Sequence, residues 1–183
     1  MIVKIPVLET PRLILRPVEL TDAPAVQAVF PRWEIVRYLG GHVPWPYPPD
    51  GAETFIRDRV FPTIERGTEW HWSIVLKATP HRLIGMISLR EKPDDNRGFW
   101  LDPAWQRQGL MAEACTAVTD YWFDVLDRPV LRTLKAVANV RSRRISERDA
   151  MRLIETTEHQ YVSGRLPSEK WEITREEWRA RPR

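Results

Sequence analysis

Two spacings of apolar residues divide the chain. Alternation with period two runs through residues 12–18, RLILRPV, where Leu13, Leu15 and Pro17 oppose Ile14 and Arg16; it predicts a strand. ELTDAPAVQAVF follows, and Thr21 or Asp22 is placed to cap a helix that turns Ala25, Val26 and Val29 inward. VPWPYPPD, residues 43–50, is too rich in proline for a helix or a central strand and predicts a stiff loop. Its aromatics either line a pocket or pack the connection onto the body. Beyond it, Phe55, Ile56, Val60 and Ile64 recur at helical spacing up to Gly67, with Pro62 expected to kink or split the helix. WHWSIVLKA and RLIGMISLR flank the turn residues TPH as a hairpin requires, and RGFWL adds a third antiparallel strand.

Met111, Ala114, Cys115, Val118, Trp122, Val125 and Leu126 then mark one apolar face of a helix over residues 111–126. A strand over 131–137 comes next. Strand, crossover helix and strand in that order predict a parallel pair between RGFWL and LRTLKAV. Two last strands are expected near 153–162 and 170–173, hinged by SGRLPS.

The start of the long helix is unusual. Gln106, Arg107, Gln108, Gly109 and Leu110 precede it, and none is a Ser, Thr, Asp or Asn that would cap its first N–H groups. Unpaired donors, the positive end of the helix dipole, a glycine that lets backbone approach closely and the charge of Arg107 suit a phosphate. Water can satisfy the same donors. Neither the dinucleotide fingerprint nor the Walker loop is present.

Composition narrows the class. With 43% hydrophobic residues, 183 residues fill one core, so a single domain over 1–183 is expected. No segment approaches the roughly 20 apolar residues of a membrane helix. MIVKIPVLETPRLILRP is broken by Pro6, Pro11, Pro17 and charges, unlike a signal peptide, and a cytoplasmic protein is expected. The lone cysteine, Cys115, rules out an internal disulfide and argues against a structural zinc site; no metal is expected. Its place on the apolar helix face makes it a buried hydrophobe rather than a nucleophile. A net charge of +3 with acids and bases interspersed does not indicate a DNA-binding surface. The local exceptions, VRSRRISER and REEWRARPR, read either as solvated faces or as a grip on phosphate.

Gln106-x-x-Gly109-x-Met111 between a strand and a helix resembles the pyrophosphate motif of the GNAT N-acetyltransferases. Together with ETPRLILRP and ANVRSRRISER, it resembles the RimJ/RimL branch, which acetylates N-termini of ribosomal proteins, over residues 9–153. The resemblance implies a mixed α+β fold: a mostly antiparallel sheet flanked by helices and splayed at a central parallel pair that admits the pantetheine arm of acetyl-CoA. It implies that the backbone of Phe99, Trp100 and Leu101 pairs with the thioester and pantetheine, and that Gln106, Arg107, Gln108, Gly109, Leu110, Met111 and Ala112 hold the phosphates. Asn139 matches the asparagine that bonds pantetheine, and Ser142 its partner three residues on. Three positions depart from the family pattern. Met111 stands where Gly or Ala is preferred and would narrow the turn, Ala150 stands for a glycine, and Ser146 for a tyrosine acid.

The implied chemistry is direct attack of a primary amine on acetyl-CoA. N–H groups near Phe99 polarise the carbonyl, and Ser142 or water acts as acid. Ser142 also reads as the N-cap of the helix that follows it. Base candidates are Asp95, Glu158 and His71, or a base acting through water, with Asn96 nearest the family's acidic position. The acceptor is a peptide N-terminus or a small amine, and a homodimer stays open. Two alternatives remain: a non-catalytic GNAT-shaped module that binds CoA or a protein, and ribosome association through the arginine-rich segments.

Overall fold

The computed structural model describes residues 5–181. Five antiparallel strands form one sheet in chain order: β1 (Leu8–Glu9), β2 (Leu13–Pro17), β3 (Glu69–Leu76), β4 (Thr79–Arg90) and β5 (Arg97–Leu101). Three more, β6 (Val130–Ala136), β7 (Arg152–Tyr161) and β8 (Gly164–Thr174), form a second sheet in the order β6-β8-β7, also antiparallel. The expected parallel pair is therefore parted completely: among the described residues no ladder joins β5 to β6.

The sheets meet at one joint. Asn96 N–H donates to the Arg132 carbonyl (2.8 Å), and Asn96 Oδ1 accepts from Arg132 N–H (2.7 Å). Its Nδ2 donates back to the carbonyls of Arg90 (3.2 Å) and Lys92 (2.6 Å). One side chain thus replaces a neighbouring strand's backbone at the mouth of β5, after which the strands separate.

The first sheet is buried on both faces, so its strands alternate between two apolar environments rather than between core and water. Leu13, Leu15, Trp70, Trp72, Ile74, Ile87, Leu89 and Leu101 pack with α5 (Leu110–Asp124). Val75, Leu83, Met86 and Trp100 face the other way, toward α1 (Ala23–Val29), α2 (Trp33–Val36) and α3 (Gly51–Phe55). Beyond α3 one π turn, Ile56–Val60, leads into α4 (Phe61–Glu65), with Pro62 in its first turn. Pro62 does not split the helix: helical backbone runs on from Gly51 to Glu65, and the departure from regular α geometry is the π turn just ahead of Pro62, whose ring nitrogen has no N–H to give the ladder.

Several local expectations are corrected. The hairpin turns at residues 77–78, and Thr79, Pro80 and His81 already belong to β4; a register shift near Val75 absorbs the difference. Ala25 is exposed while Ala23, Val26 and Phe30 are buried. Asp22 does not cap α1, because its carboxylate takes Arg16 (2.5 Å), Ser73 Oγ (2.7 Å) and the Glu19 N–H (3.0 Å). Val125 lies past the end of α5 and is 64% exposed. The last two strands are longer than expected, turning at residues 162–163, so most of SGRLPS is strand. A C-terminal helix, α7 (Arg175–Ala180), is capped reciprocally by Thr174 and Glu177.

Met111 points into the α5 core and does not crowd the turn before it. Ala150 ends α6 (Val140–Arg148) in the left-handed region at φ 57°, where the family carries glycine. An L side chain there costs about 1 kcal/mol. Ala150→Gly is expected to raise the unfolding free energy by about 0.5–1 kcal/mol in urea melts, the relief exceeding the added chain entropy. Asn96→Ala is expected to lower it by about 2 kcal/mol, since the Arg132 N–H then loses its acceptor. A loss below about 0.5 kcal/mol would mean that the joint rests on other contacts.

Candidate active site

The turn ahead of α5 is built by backbone conformation. Asp102 caps a short 3-10 turn, Pro103–Trp105, by accepting from Ala104 N–H (3.1 Å). Arg107 and Gly109 then both take positive φ, 63° and 76°. Gly109 stands at the N-cap with no side-chain hydrogen bond, and the Glu113 N–H is the one that reaches back to the Gly109 carbonyl (3.0 Å). Left-handed residues so close to a helix start turn successive N–H groups toward one side, a concavity suited to an anion.

Gln106 fastens this turn to the sheet. Its Nε2 donates to the Leu101 carbonyl (2.9 Å), while its Oε1 accepts from Arg141 on α6. Sequence reasoning missed Arg12. Its guanidinium donates to the Gln108 carbonyl (2.9 Å) and to Glu113 (2.7 Å), and reaches within 3.5 Å of where a Cβ on Gly109 would sit. The residue lies in the quoted segment ETPRLILRP, but nothing local says that β2 begins beside the α5 turn. Arg12 and Arg148 line a cavity of about 860 Å³ there. Leu110, Met111 and Ala112 are buried, so they can offer this side backbone N–H groups but no side chains.

A second cavity, of about 1120 Å³, passes through the gap between the sheets. The edge of β5 forms one wall. Arg90 N–H donates to the Asn96 carbonyl and Asp102 N–H to the Ile84 carbonyl, each at 2.8 Å, which fixes the alternation. Gly98 and Trp100 therefore direct their backbone groups to β4, and Arg97, Phe99 and Leu101 direct theirs away from it, toward the gap. The Leu101 carbonyl is taken by Gln106, so among the described residues Phe99, and Arg97 nearer the joint, keep both backbone groups free. Trp100 is corrected in this respect: its backbone faces β4, and its ring packs edge-on against Phe30 at 5.4 Å.

The opposite wall is β6 and α6. Asn139 caps α6 by accepting from Ser142 N–H (3.3 Å), so Ser142 is the third residue of that helix and not its cap. Ser142 Oγ instead accepts from Lys135 Nζ (2.8 Å), which also stands 5.2 Å from the centre of the Phe99 ring. Ser146 is fully buried, and among the described residues its Oγ has no partner.

Asp95 belongs to the joint. One of its oxygens accepts from Leu134 N–H (3.2 Å), and the other pairs with Arg90 (3.3 Å). Glu158 is exposed and paired with Arg165 (2.8 Å). His71 is 6% exposed, lines the cavity and bonds Glu69 through Nε2 (2.8 Å). Burial pushes the His71 pKa down, outweighing the pull of Glu69, so the imidazole is neutral at pH 7. Burial works to raise the Glu69 pKa, but His71, Arg59 and Arg90 win and hold it below the ordinary range. Tyr47 of the proline loop lines the cavity, whereas Trp45 packs on Trp33 at 5.6 Å, so the loop aromatics do both jobs. Cys115 is fully buried, and burial raises its thiol pKa to about 11, which removes it as a nucleophile. Among the described residues no helix is long and apolar enough to cross a membrane, and no cluster of His, Cys, Asp or Glu is assembled to hold a metal.

Solved structures share this architecture at low identity. A GNAT-family acetyltransferase from Bacillus anthracis superposes with a TM-score of 0.78 at 17% identity, covering 94% of this chain and 100% of the other. A RimL ribosomal-protein acetyltransferase in complex with coenzyme A gives 0.78 at 16%, covering 92% and 98%. A ribosomal-protein-S5-alanine acetyltransferase from Vibrio fischeri gives 0.78 at 15%, covering 97% and 100%. No curated protein matches the chain. The model of the acetyltransferase (GNAT) domain matches residues 12–152, which take in β2 to β6, the uncapped turn and both walls of the gap: the chain belongs to the GNAT acetyltransferase family, whose members use acetyl-CoA.

Proposed function

We propose that the protein transfers the acetyl group of acetyl-CoA to a primary amine, by direct attack in a ternary complex, as an N-acetyltransferase of the RimJ/RimL type. The observation that carries this reading is the continuity of two unpaired backbone surfaces. The uncapped, left-handed turn at Arg107–Gly109 leads along Gln106 to the free edge of β5 at Phe99. Acetyl-CoA supplies there a thioester whose carbonyl is open to a nucleophile.

The remaining roles belong to the chain. N–H groups of Gly109 to Ala112, with Arg12 beside them, hold the phosphates. The Phe99 N–H donates to the carbonyl oxygen as charge develops on it. Ser142 donates to the leaving sulfur. Asn139, whose Oδ1 caps α6, keeps its amide nitrogen for pantetheine. For the base, His71 is favoured over Asp95, whose two oxygens are engaged at the joint. His71, Ser88 and Gly98 are successive cross-strand neighbours on one sheet face. That puts the imidazole about 10 Å from β5, a distance bridged by water. Two neighbouring structures are named as ribosomal-protein acetyltransferases, which favours a peptide N-terminus over a small amine as acceptor.

Gly109→Glu is expected to abolish CoA binding, because it strains a left-handed position and adds a negative charge at the phosphates. Affinity within about threefold of wild type by calorimetry, in a folded variant, would contradict the phosphate site. His71→Gln is expected to lower kcat by about 10²-fold with the KM for acetyl-CoA nearly unchanged. Unchanged kcat would move the base elsewhere. A panel of amines assayed for CoA release decides between enzyme and binding module: the module reading requires that none turns over.

A further inference from the structure

We propose that Lys135 is a positioning residue for the departing thiolate: its ammonium, bonded to Ser142, turns the serine hydroxyl toward the gap and places a positive charge behind it. The proposal rests on the acetyl-transfer reading above and concerns a residue that the family motifs do not mark.

A lysine buried to 5% exposure ordinarily carries a carboxylate partner. Lys135 has none. Its Nζ contacts Ser142 Oγ at 2.8 Å and the face of Phe99 at 5.2 Å, so it bridges the two walls of the gap. The charges around it are otherwise engaged. Asp149, at the end of α6, binds Arg97 of β5 at 2.9 Å, and Arg97 also donates to Thr119 of α5 (2.6 Å). Glu169, opposite Lys135 on β8, binds Arg143 (2.6 Å) and Trp171 Nε1 (3.2 Å). Asp95 is held at the joint, and Cys115 of α5 is a neutral thiol. A buried cation facing a cavity without a counter-anion favours any reaction that creates an anion there.

The step balances. The amine nitrogen bonds to the thioester carbon, the C–S bond breaks, and sulfur leaves with the bonding pair. Sulfur accepts the Ser142 hydrogen bond as a thiolate, with the Lys135 charge behind it, and takes its proton from solvent on release, while the amine's excess proton goes to the base. Burial, then the nearby charge of Arg97, pulls the Lys135 pKa down to about 8, so it is mostly charged at neutral pH and loses that charge as pH rises through about 8.

The test is the titration of CoA's own thiol when bound, followed by thiolate absorbance without any acceptor. In complex with the Lys135→Met variant the thiol is expected to titrate about one unit higher than with wild type, a tenfold loss of acidity. Lys135→Arg, which keeps the charge but not a removable proton, is expected to keep the wild-type value. In turnover, wild type should lose kcat as pH rises through about 8, and Lys135→Arg should lack that alkaline limb. Identical thiol titrations in wild type and Lys135→Met, both folded by melting temperature and both binding CoA, would overturn the proposal while leaving the acetyltransferase reading intact. Failure of wild type to bind CoA would overturn both.

Discussion

The edge of β5 has a strand on one side only, and most of the architecture follows from that. A buried strand edge with unpaired N–H and C=O groups is costly, and folds normally cover it. Here the neighbouring strand, β6, is held beside the mouth of β5 by Asn96 and Asp95, whose side chains bond the Arg132 and Leu134 amides. Farther along, the walls diverge around Phe99. The open stretch runs from Arg97 to Phe99, because Gln106 claims the Leu101 carbonyl while Gly98 and Trp100 face β4.

Buried charges frame the opening. Arg97 and Lys135 stand on facing strands, and each cation disfavours the other across the gap. Asp149 neutralises Arg97 at full burial, which ties β5 to the end of α6, and Thr119 ties it to α5. Removing one partner of such a pair exposes the other to an uncompensated interior, so the network fixes the geometry more than it stabilises the fold. The uncapped start of α5 lies at the same opening, because Gln106 ties its turn to Leu101 on one side and to Arg141 on the other.

What was legible in the sequence was whatever local spacing encodes. The meander of β3 to β5, the α5 core face and the missing cap all follow from neighbours within a turn or two. The family's glycine at Ala150 was legible as a helix end, and the left-handed φ there gives the physical reason. Expectations failed where a distant partner redirected a side chain. Asp22 leaves its helix cap for Arg16 and Ser73, and Ser142 yields the cap to Asn139 and turns to Lys135. Arg12 lies 96 residues from the Gln108 carbonyl it holds. Lys135 was invisible for the same reason: in LRTLKAV it alternates like any strand residue, and only the fold shows that its side chain is buried without a counter-anion.

Hydrogen exchange at two adjacent amides tests the central claim, that the cofactor arm completes the sheet at Phe99. The Trp100 N–H, bonded to β4, should exchange slowly with or without acetyl-CoA. The Phe99 N–H should exchange quickly in the free protein and slow by about tenfold or more on saturation, as it gains an acceptor in the gap. Saturating acetyl-CoA that protects the α5 turn but leaves Phe99 exchanging at its free rate would contradict the account.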